Sequence, residues 1–441
     1  MGRKGSTMGV AVGLLMGLGG TAWAQGGGGK IDSGDTAWVL ISAALVLLMT
    51  TPGLALFYGG MVRRKNVLSM LMQSFILAAL VSVQWVLFGY SLAFGPDHWG
   101  LIGDFSWAGL NGVGALPNPA YAPTIPHLAF AIYQCMFAVI TPALITGAFA
   151  ERISFGGFIA FSLLWMTCIY DPLAHWVWGN GGWIHQLGAL DFAGGTVVHI
   201  SSGVSALIAA LVIGRRIGFP QRPMPPHNLT MTLTGAGLLW VGWFGFNAGS
   251  ALAANGLAAS AMMATHAATA AAALAWVLSE WAARGKPTVL GVASGAVAGL
   301  VAITPAAGYV TPVAALMIGL IAGVVCFYAV GIKFRAGYDD ALDVVGVHGV
   351  GGSIGALLTG IFASKLVNAA GADGLLAGNP RQLLLQAIAV LASIGFAAIG
   401  SLILLKLVDA AVGLRVKSEM EREGLDLAVH SEVGYALLEE E

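Results

Sequence analysis

Charge is what this sequence has least of. Only 20 Lys+Arg and 21 Asp+Glu occur among 441 residues, or 9%, where a soluble globular domain carries about 25%. That scarcity excludes a disordered chain, which needs charge to stay expanded. It also disfavours nucleic-acid binding, because no basic surface is left to release phosphate counterions. Cysteine is nearly absent as well. Cys135, Cys168 and Cys326 are odd in number, widely spaced and set in apolar runs, so neither a disulfide framework nor a metal site is expected. No nucleophile–base pair or phosphate-binding loop is evident, which argues against an enzyme.

What is present is apolar. Hydrophobic residues make up 57% of the chain and the mean hydropathy is +0.82, more than a soluble protein can cover. The excess requires lipid as solvent, and the reading is an all-α polytopic membrane protein. Gly is abundant, at 63 residues, which suits close helix packing in a bilayer.

Residues 1–24 read as a cleaved signal peptide. Arg3 and Lys4 precede a short apolar stretch ending in Thr21-Ala22-Trp23-Ala24, an A-x-A site. The alternative is a first membrane helix, but the run is short and Gly-rich. Residues 25–35, with Gly26 to Gly29, form an extracytoplasmic linker. A bilayer core takes ~20 apolar residues per helix. Eleven spans follow within a membrane domain of residues 36–412: 36–59, 68–94, 126–149, 155–172, 191–214, 229–250, 258–283, 289–303, 307–331, 344–364 and 382–411. The short span 289–303 has the weakest signal. Basic residues mark alternate turns: Arg63, Arg64 and Lys65; Arg152; Arg215, Arg216 and Arg222; Arg284 and Lys286; Lys333 and Arg335; Arg415, Lys417 and Arg422. The positive-inside rule then puts the N-terminus out and the C-terminus in the cytoplasm. Residues 413–441 are charge-rich and read as a cytoplasmic tail, either a solvated extension or a regulatory segment.

The chain repeats itself. Asp191-Phe-Ala-Gly-Gly-Thr-Val-Val-His199 and Asp340-Ala-Leu-Asp-Val-Val-Gly-Val-His348 each place an acid eight residues before a histidine, with small residues after it. Leu56-Phe-Tyr-Gly-Gly60 loosely matches Trp243-Phe-Gly-Phe-Asn-Ala-Gly249. Eleven spans divide as a 5+5 inverted repeat plus one long C-terminal helix, which places a transport site at the midplane. His199 and His348 are the leading candidates, since ionisable residues in lipid are costly. Alone, either would be read as a packed core histidine; at repeat-equivalent positions they are expected to meet. Neutral rings are expected, because desolvation penalises the imidazolium. Asp191 either binds a cation or caps backbone donors, and the cap is preferred. Asp340 and Asp343 could cap in the same way. Trp176, Trp178 and Trp183 are either interfacial anchors or a cation-π site. His175 and His185 fall in loops on this reading, and His266 is expected to hold a structural hydrogen bond.

The blocks around Asp191–His199, Gly242-Trp-Phe-Gly-Phe-Asn-Ala-Gly-Ser250, Thr304-Pro-Ala-Ala-Gly-Tyr309, Gly346-Val-His-Gly-Val350, Gly413-Leu-Arg-Val416 and Glu421-Arg-Glu-Gly-Leu425 together resemble the ammonium transporter (Amt) family. The resemblance implies a homotrimer in a bacterial cytoplasmic membrane, with one pore per subunit. It implies an outer binding site for ammonium, or its analogue methylammonium, made by Phe137, Trp178 and Ser250. It further implies a gate of Phe137 and Phe246, a twin-histidine pore of His199 and His348, and structural support from Asp191, Trp243 and Thr304. A PII-type signal protein at the cytoplasmic face is the implied protein partner. Neither cofactor nor metal is implied. A passive ammonia channel and an ammonium sensor acting through its tail are the competing functions.

Overall fold

The computed structural model describes residues 30–435. The expected signal peptide, the first five residues of the linker and the last six residues of the tail lie outside the described residues. Among the described residues ten helices are long and apolar enough to cross a membrane: α1 (Ser33–Met61), α2 (Arg64–Phe94), α3 (His127–Phe149), α4 (Phe155–Leu187), α5 (Gly195–Ile213), α6 (Leu229–Ala251), α7 (Gly256–Arg284), α9 (Pro312–Ala336), α10 (Val345–Phe362) and α11 (Pro380–Val412). The eleventh, α8 (Val289–Ile303), is a shorter apolar helix. The only strands among the described residues are β1 (Asp97–His98) and β2 (Ile102–Gly103), an antiparallel pair in the loop after α2. The chain is an all-α, multi-pass membrane protein.

Local chemistry fixes the helix starts. Asp32, Ser154, Asn228, Asn255, Thr288 and Thr311 each accept a hydrogen bond from a backbone N–H of the first turn. Lipid cannot satisfy those donors, so a polar side chain must. Several helices carry a widened, π-type turn. Pro52 lies in one, Met49–Leu54, where its missing N–H is tolerated. Others are Gly195–Ile200, holding His199, Phe244–Ala248, holding Phe246, and Val345–Val350, holding His348. Such turns rotate side chains out of strict α register and recur at functional sites.

α8 is short because protein, not lipid, surrounds most of it. At Gly299 an added Cβ would stand 2.7 Å from the Ala268 carbonyl of α7, and at Gly295 it would stand 2.5 Å from Trp276 Cβ. Gly319 and Gly323 of α9 likewise leave no room for a side chain against the Ala268 and Ala272 carbonyls. Backbones packed this closely gain dispersion contact in place of a hydrophobic driving force.

Two spans differ from the sequence expectation. The fourth runs on to Leu187, so His175, Trp176 and Trp178 are helical rather than in a loop. Pro172 follows directly on the π-type turn Met166–Tyr170, where the widened backbone accommodates its ring and missing N–H, so it does not end the helix. The ninth begins at Pro312 rather than 307, because Thr304–Gly308 forms turns. Lys333 and Arg335 therefore lie in the last turns of α9, not after it. His266 is exposed on α7 and has only ring contacts, 5.4 Å to Trp240 and 6.2 Å to Phe244.

The tail folds back on the body as α12 (Ser418–Glu423) and α13 (Leu425–His430). Asp426 accepts from the N–H groups of Leu68 (3.1 Å) and Ser69 (2.8 Å), satisfying donors at the start of α2. Leu425 N–H donates to Asn66 (2.9 Å) and Ile217 N–H to Glu421 (2.6 Å). Beside it, on the same face, lies a buried ionic network. Glu151 accepts from Arg63 (2.7 Å) and Arg216 (3.2 Å), and Arg216 bridges to Asp339 (2.8 Å). Arg152, fully buried, donates to the carbonyls of Gly214 (2.9 Å) and Asp339 (2.6 Å).

Candidate functional site

α5 and α10 cross at two glycines. Gly203, four residues after His199, has the backbone of Gly349 where its Cβ would be. Gly352, four residues after His348, would place a Cβ 2.9 Å from His199 Cβ. Each histidine therefore lies against the other helix, and the rings meet with Nδ1 atoms 3.2 Å apart. Both are buried, His199 at 1% and His348 at 3% exposure.

Two neutral imidazoles joined Nδ1 to Nδ1 must differ in tautomer. One ring donates Nδ1–H and keeps a lone pair on Nε2; the other accepts and carries Nε2–H. The pair thus offers one acceptor and one donor along its free edges. His199 Nε2 has no hydrogen-bond partner among the described residues. The His199 ring stacks on Trp243 with centroids 5.4 Å apart and planes 22° apart. Trp243 in turn donates its indole N–H to Thr304 (2.9 Å), whose hydroxyl donates to the Leu300 carbonyl (2.7 Å). Trp243 and Thr304, expected as support, thus form one strut behind His199.

Phe246 stands beside the pair, 6.1 Å from His199. Its ring stacks on Phe137 at 4.2 Å and 26°, and both are buried. Beyond this stack opens a vestibule of about 580 Å³ whose lining includes Phe137, Trp178, Asp191 and Ser250. Trp178 meets Phe137 edge-on at 5.9 Å and 87°. Its indole N–H donates to the Asp191 carbonyl (3.0 Å), so one face of its ring is left for the vestibule. The Asp191 carboxylate accepts from the N–H groups of Gly194 (2.7 Å), Gly195 (2.6 Å) and Thr196 (2.7 Å), and from the Thr196 hydroxyl. It holds the start of α5 with its oxygens turned onto backbone, an arrangement that suits a cap.

The structure brings together the binding, barrier and pore residues that the resemblance implies: Phe137, Trp178 and Ser250 at one vestibule, Phe246 beneath them, and His199 and His348 below that; Trp176 and Trp183 pack on each other and do not line the vestibule. Tyr133 was missed. Its hydroxyl lies 2.9 Å from the Gly245 and Phe246 carbonyls and 3.1 Å from Ser250 Oγ. Since Ser250 itself donates to the Phe246 carbonyl (2.9 Å), this cluster fixes the position of the Phe246 backbone. A tyrosine four residues before Phe137, one helical turn away, was the available signal. His175 was missed as a structural element too. It is buried, faces the Ala93 carbonyl at 3.0 Å and pairs with Asp97 at 2.8 Å, anchoring the β1–β2 loop beside Trp176. Asp171 was missed as well: it is fully buried in α4 and bonded to Gln84 at 2.7 Å. Among the described residues no group of three His, Cys, Asp or Glu could hold a metal.

A family model described as Ammonium Transporter Family matches residues 37–435. The chain belongs to that family. Its members are membrane transporters, not enzymes. The chain is 54% identical over 406 residues to an ammonium transporter of Bacillus subtilis (strain 168), covering 92% of this chain and 99% of that one. It is 49% identical to ammonium transporter Amt1 of Archaeoglobus fulgidus, over 92% and 100% of the two chains. Among solved structures it is similar to Mep2 of Saccharomyces cerevisiae, at 37% identity and a TM-score of 0.83, covering 88% and 89% of the chains. A structure described as a sensor Amt protein is similar at 32% identity and a TM-score of 0.83, covering 90% and 98%.

Proposed function

We propose that this protein is an ammonium transporter that recruits ammonium at the aromatic vestibule, removes a proton and conducts ammonia past the histidine pair. The observation that carries this is the order of the groups. An aromatic and hydroxyl-lined vestibule leads to a stacked Phe137–Phe246 barrier, and a histidine pair sits directly behind it. The relatives named as ammonium transporters support the substrate.

The chemistry follows from what separates ammonium from potassium. The two ions have similar size and equal charge, so charge alone does not select. Ammonium has protons to donate and one to lose. The faces of Trp178 and Phe137 attract a cation by ~1–2 kcal/mol when partly desolvated. Ser250 Oγ accepts an N–H bond, which potassium does not offer. The stacked phenyl rings then oppose bare charge by several kcal/mol. Neutral ammonia passes, and the free Nε2 edges of His199 and His348 supply it an acceptor and a donor. The released proton crosses separately through the imidazoles, so that net charge moves; a proton returned to the vestibule would leave a neutral flux, which is the passive-channel reading.

This reading carries eleven membrane crossings in two inverted halves, with α8 among them, a homotrimeric assembly and a bacterial cytoplasmic membrane. The vestibule faces outward and the tail inward, with residues 1–24 removed as a signal peptide and 413–441 acting as the regulatory tail. Docked against α2, the tail suits control by a PII-type protein, and likeness to a sensor Amt protein keeps a signalling role in view. The test is ammonium-evoked current in proteoliposomes across a pH series. Current that scales with ammonium and is unchanged by potassium is the expected result. Ammonium-dependent flux with no current favours the passive ammonia channel instead.

A further inference from the structure

On the tail face, a cavity of about 240 Å³ is walled by Arg63, Lys65, Ile217, Arg222, Arg422 and Glu421, together with Pro223 and Met224. Three separate pieces of chain meet there: the α1–α2 turn, the loop after α5 and α12. Four of these side chains are cationic and one is acidic. Glu421 is already occupied, by Arg415 at 2.8 Å and by Ile217 N–H at 2.6 Å. Arg63 is held by Glu151. Lys65 Nζ donates to the carbonyls of Glu421 (3.1 Å) and Arg422, which fixes the ammonium at the cavity wall with a third N–H to spare. Arg222 and Arg422 have no carboxylate partner among the described residues. Arg222 is nonetheless placed: its N–H donates to the Gly218 carbonyl at 2.7 Å, and its side chain lies across Gly218.

Two unpaired guanidinium groups and an ammonium around one small cavity form a site for a dense anion. Guanidinium forks match a phosphoryl group in charge and geometry. We infer that this cavity binds a phosphoryl group, carried either by a soluble phosphate ligand or by the headgroup of an anionic phospholipid. The occupant would contact Arg222 on the body and Arg422 on α12 at once, and so fasten the tail against the membrane domain. The assignment does not depend on what is transported.

The test is hydrogen exchange of residues 217–224 and 418–426 in the full chain, in nanodiscs. One arm adds inorganic pyrophosphate to phosphatidylcholine discs, against sodium chloride at matched ionic strength. The other replaces part of the phosphatidylcholine with phosphatidylglycerol, without pyrophosphate. Slowed exchange in both segments is expected in at least one arm. Slowing by pyrophosphate identifies a soluble ligand, and slowing by phosphatidylglycerol alone identifies the headgroup. In the double variant Arg222→Gln, Arg422→Gln the half-maximal concentration should rise about 10-fold or more. Both side chains are exposed, so the variant should keep its melting temperature when no anion is added. Exchange unchanged in both arms overturns the inference, as does equal slowing in the double variant.

Discussion

At the start of α5 the Asp191 carboxylate accepts three short backbone N–H bonds and the Thr196 hydroxyl. At the start of α10 the equivalent Asp340 accepts from Val345 N–H at 2.8 Å, leaves its second oxygen unpartnered, and has its carbonyl held by Lys333 at 2.7 Å. Both helices then widen into a π-type turn, present a histidine, and press a glycine onto the other helix four residues later. The backbone device is the same and the surroundings are not. α5 begins among aromatic rings at the vestibule, and its histidine is backed by Trp243. α10 begins among Lys333, Arg216 and Arg152 on the tail face. A symmetric crossing therefore joins two chemically different faces. An aromatic face suits capture of a cation, and an ionic face suits a fixed structural platform for the tail.

Breaking the crossing should have the largest effect, and it should expose the asymmetry. A side chain at Gly203 runs into the Gly349 backbone, whereas one at Gly352 meets a side-chain carbon at 2.9 Å. Gly203→Leu should cost more than ~3 kcal/mol, enough to abolish the monodisperse peak in size-exclusion chromatography. Gly352→Ala should survive with a lowered melting temperature. Equal losses would mean that the two contacts are equivalent.

The caps come next. Asp191→Ala strands three buried N–H groups, each worth about 1–3 kcal/mol, while the main-chain carbonyl that accepts from Trp178 remains. Asp340→Ala removes a bond to one N–H and leaves α10 held by its packing. Melting curves of the two variants should differ by ~2 kcal/mol or more, with Asp191→Ala the weaker protein.

Acid provides a gentler contrast. Burial alone would raise the Glu151 and Asp339 carboxyls, but Arg216, with Arg63 on Glu151 and Arg152 on Asp339, holds both below the ordinary carboxylate range. Their folded values lie below their unfolded ones, so the stability they contribute is present above about pH 4 and is lost as pH falls through the folded values. Hydrogen exchange should therefore speed up at residues 337–345 before residues 190–197 as pH is lowered below 4. The reverse order would remove the tail-face network as the cause.

The Asp–x₇–His spacing could be read from the sequence because a repeat is a one-dimensional signal, and the ten long helices because apolar length is another. Trp178 and Ser250 came from resemblance, since no periodicity joins residues so far apart. Of the Glu151–Arg216–Asp339 network only Arg216 was read, as topology, and the two acids were missed. Its members lie far apart in the chain, and charge near a span end signals orientation whether or not it is paired. Tyr133 is an aromatic in an apolar helix until the Phe246 carbonyl and Ser250 are placed beside it. Which residues receive the tail was invisible for the same reason: Asp426 finds its donors at Leu68 and Ser69, at the other end of the chain.

The central claim is that the histidine pair passes ammonia and stops charge that carries no removable proton. The direct measurement is ammonium and potassium flux, taken side by side, through proteoliposomes holding the wild type and a His199→Leu, His348→Leu double variant of matched melting temperature. The account predicts that ammonium flux falls at least 10-fold in the double variant, two hydrogen-bonding groups having been replaced by hydrocarbon. Ammonium flux at the wild-type rate, with potassium still excluded, would contradict it.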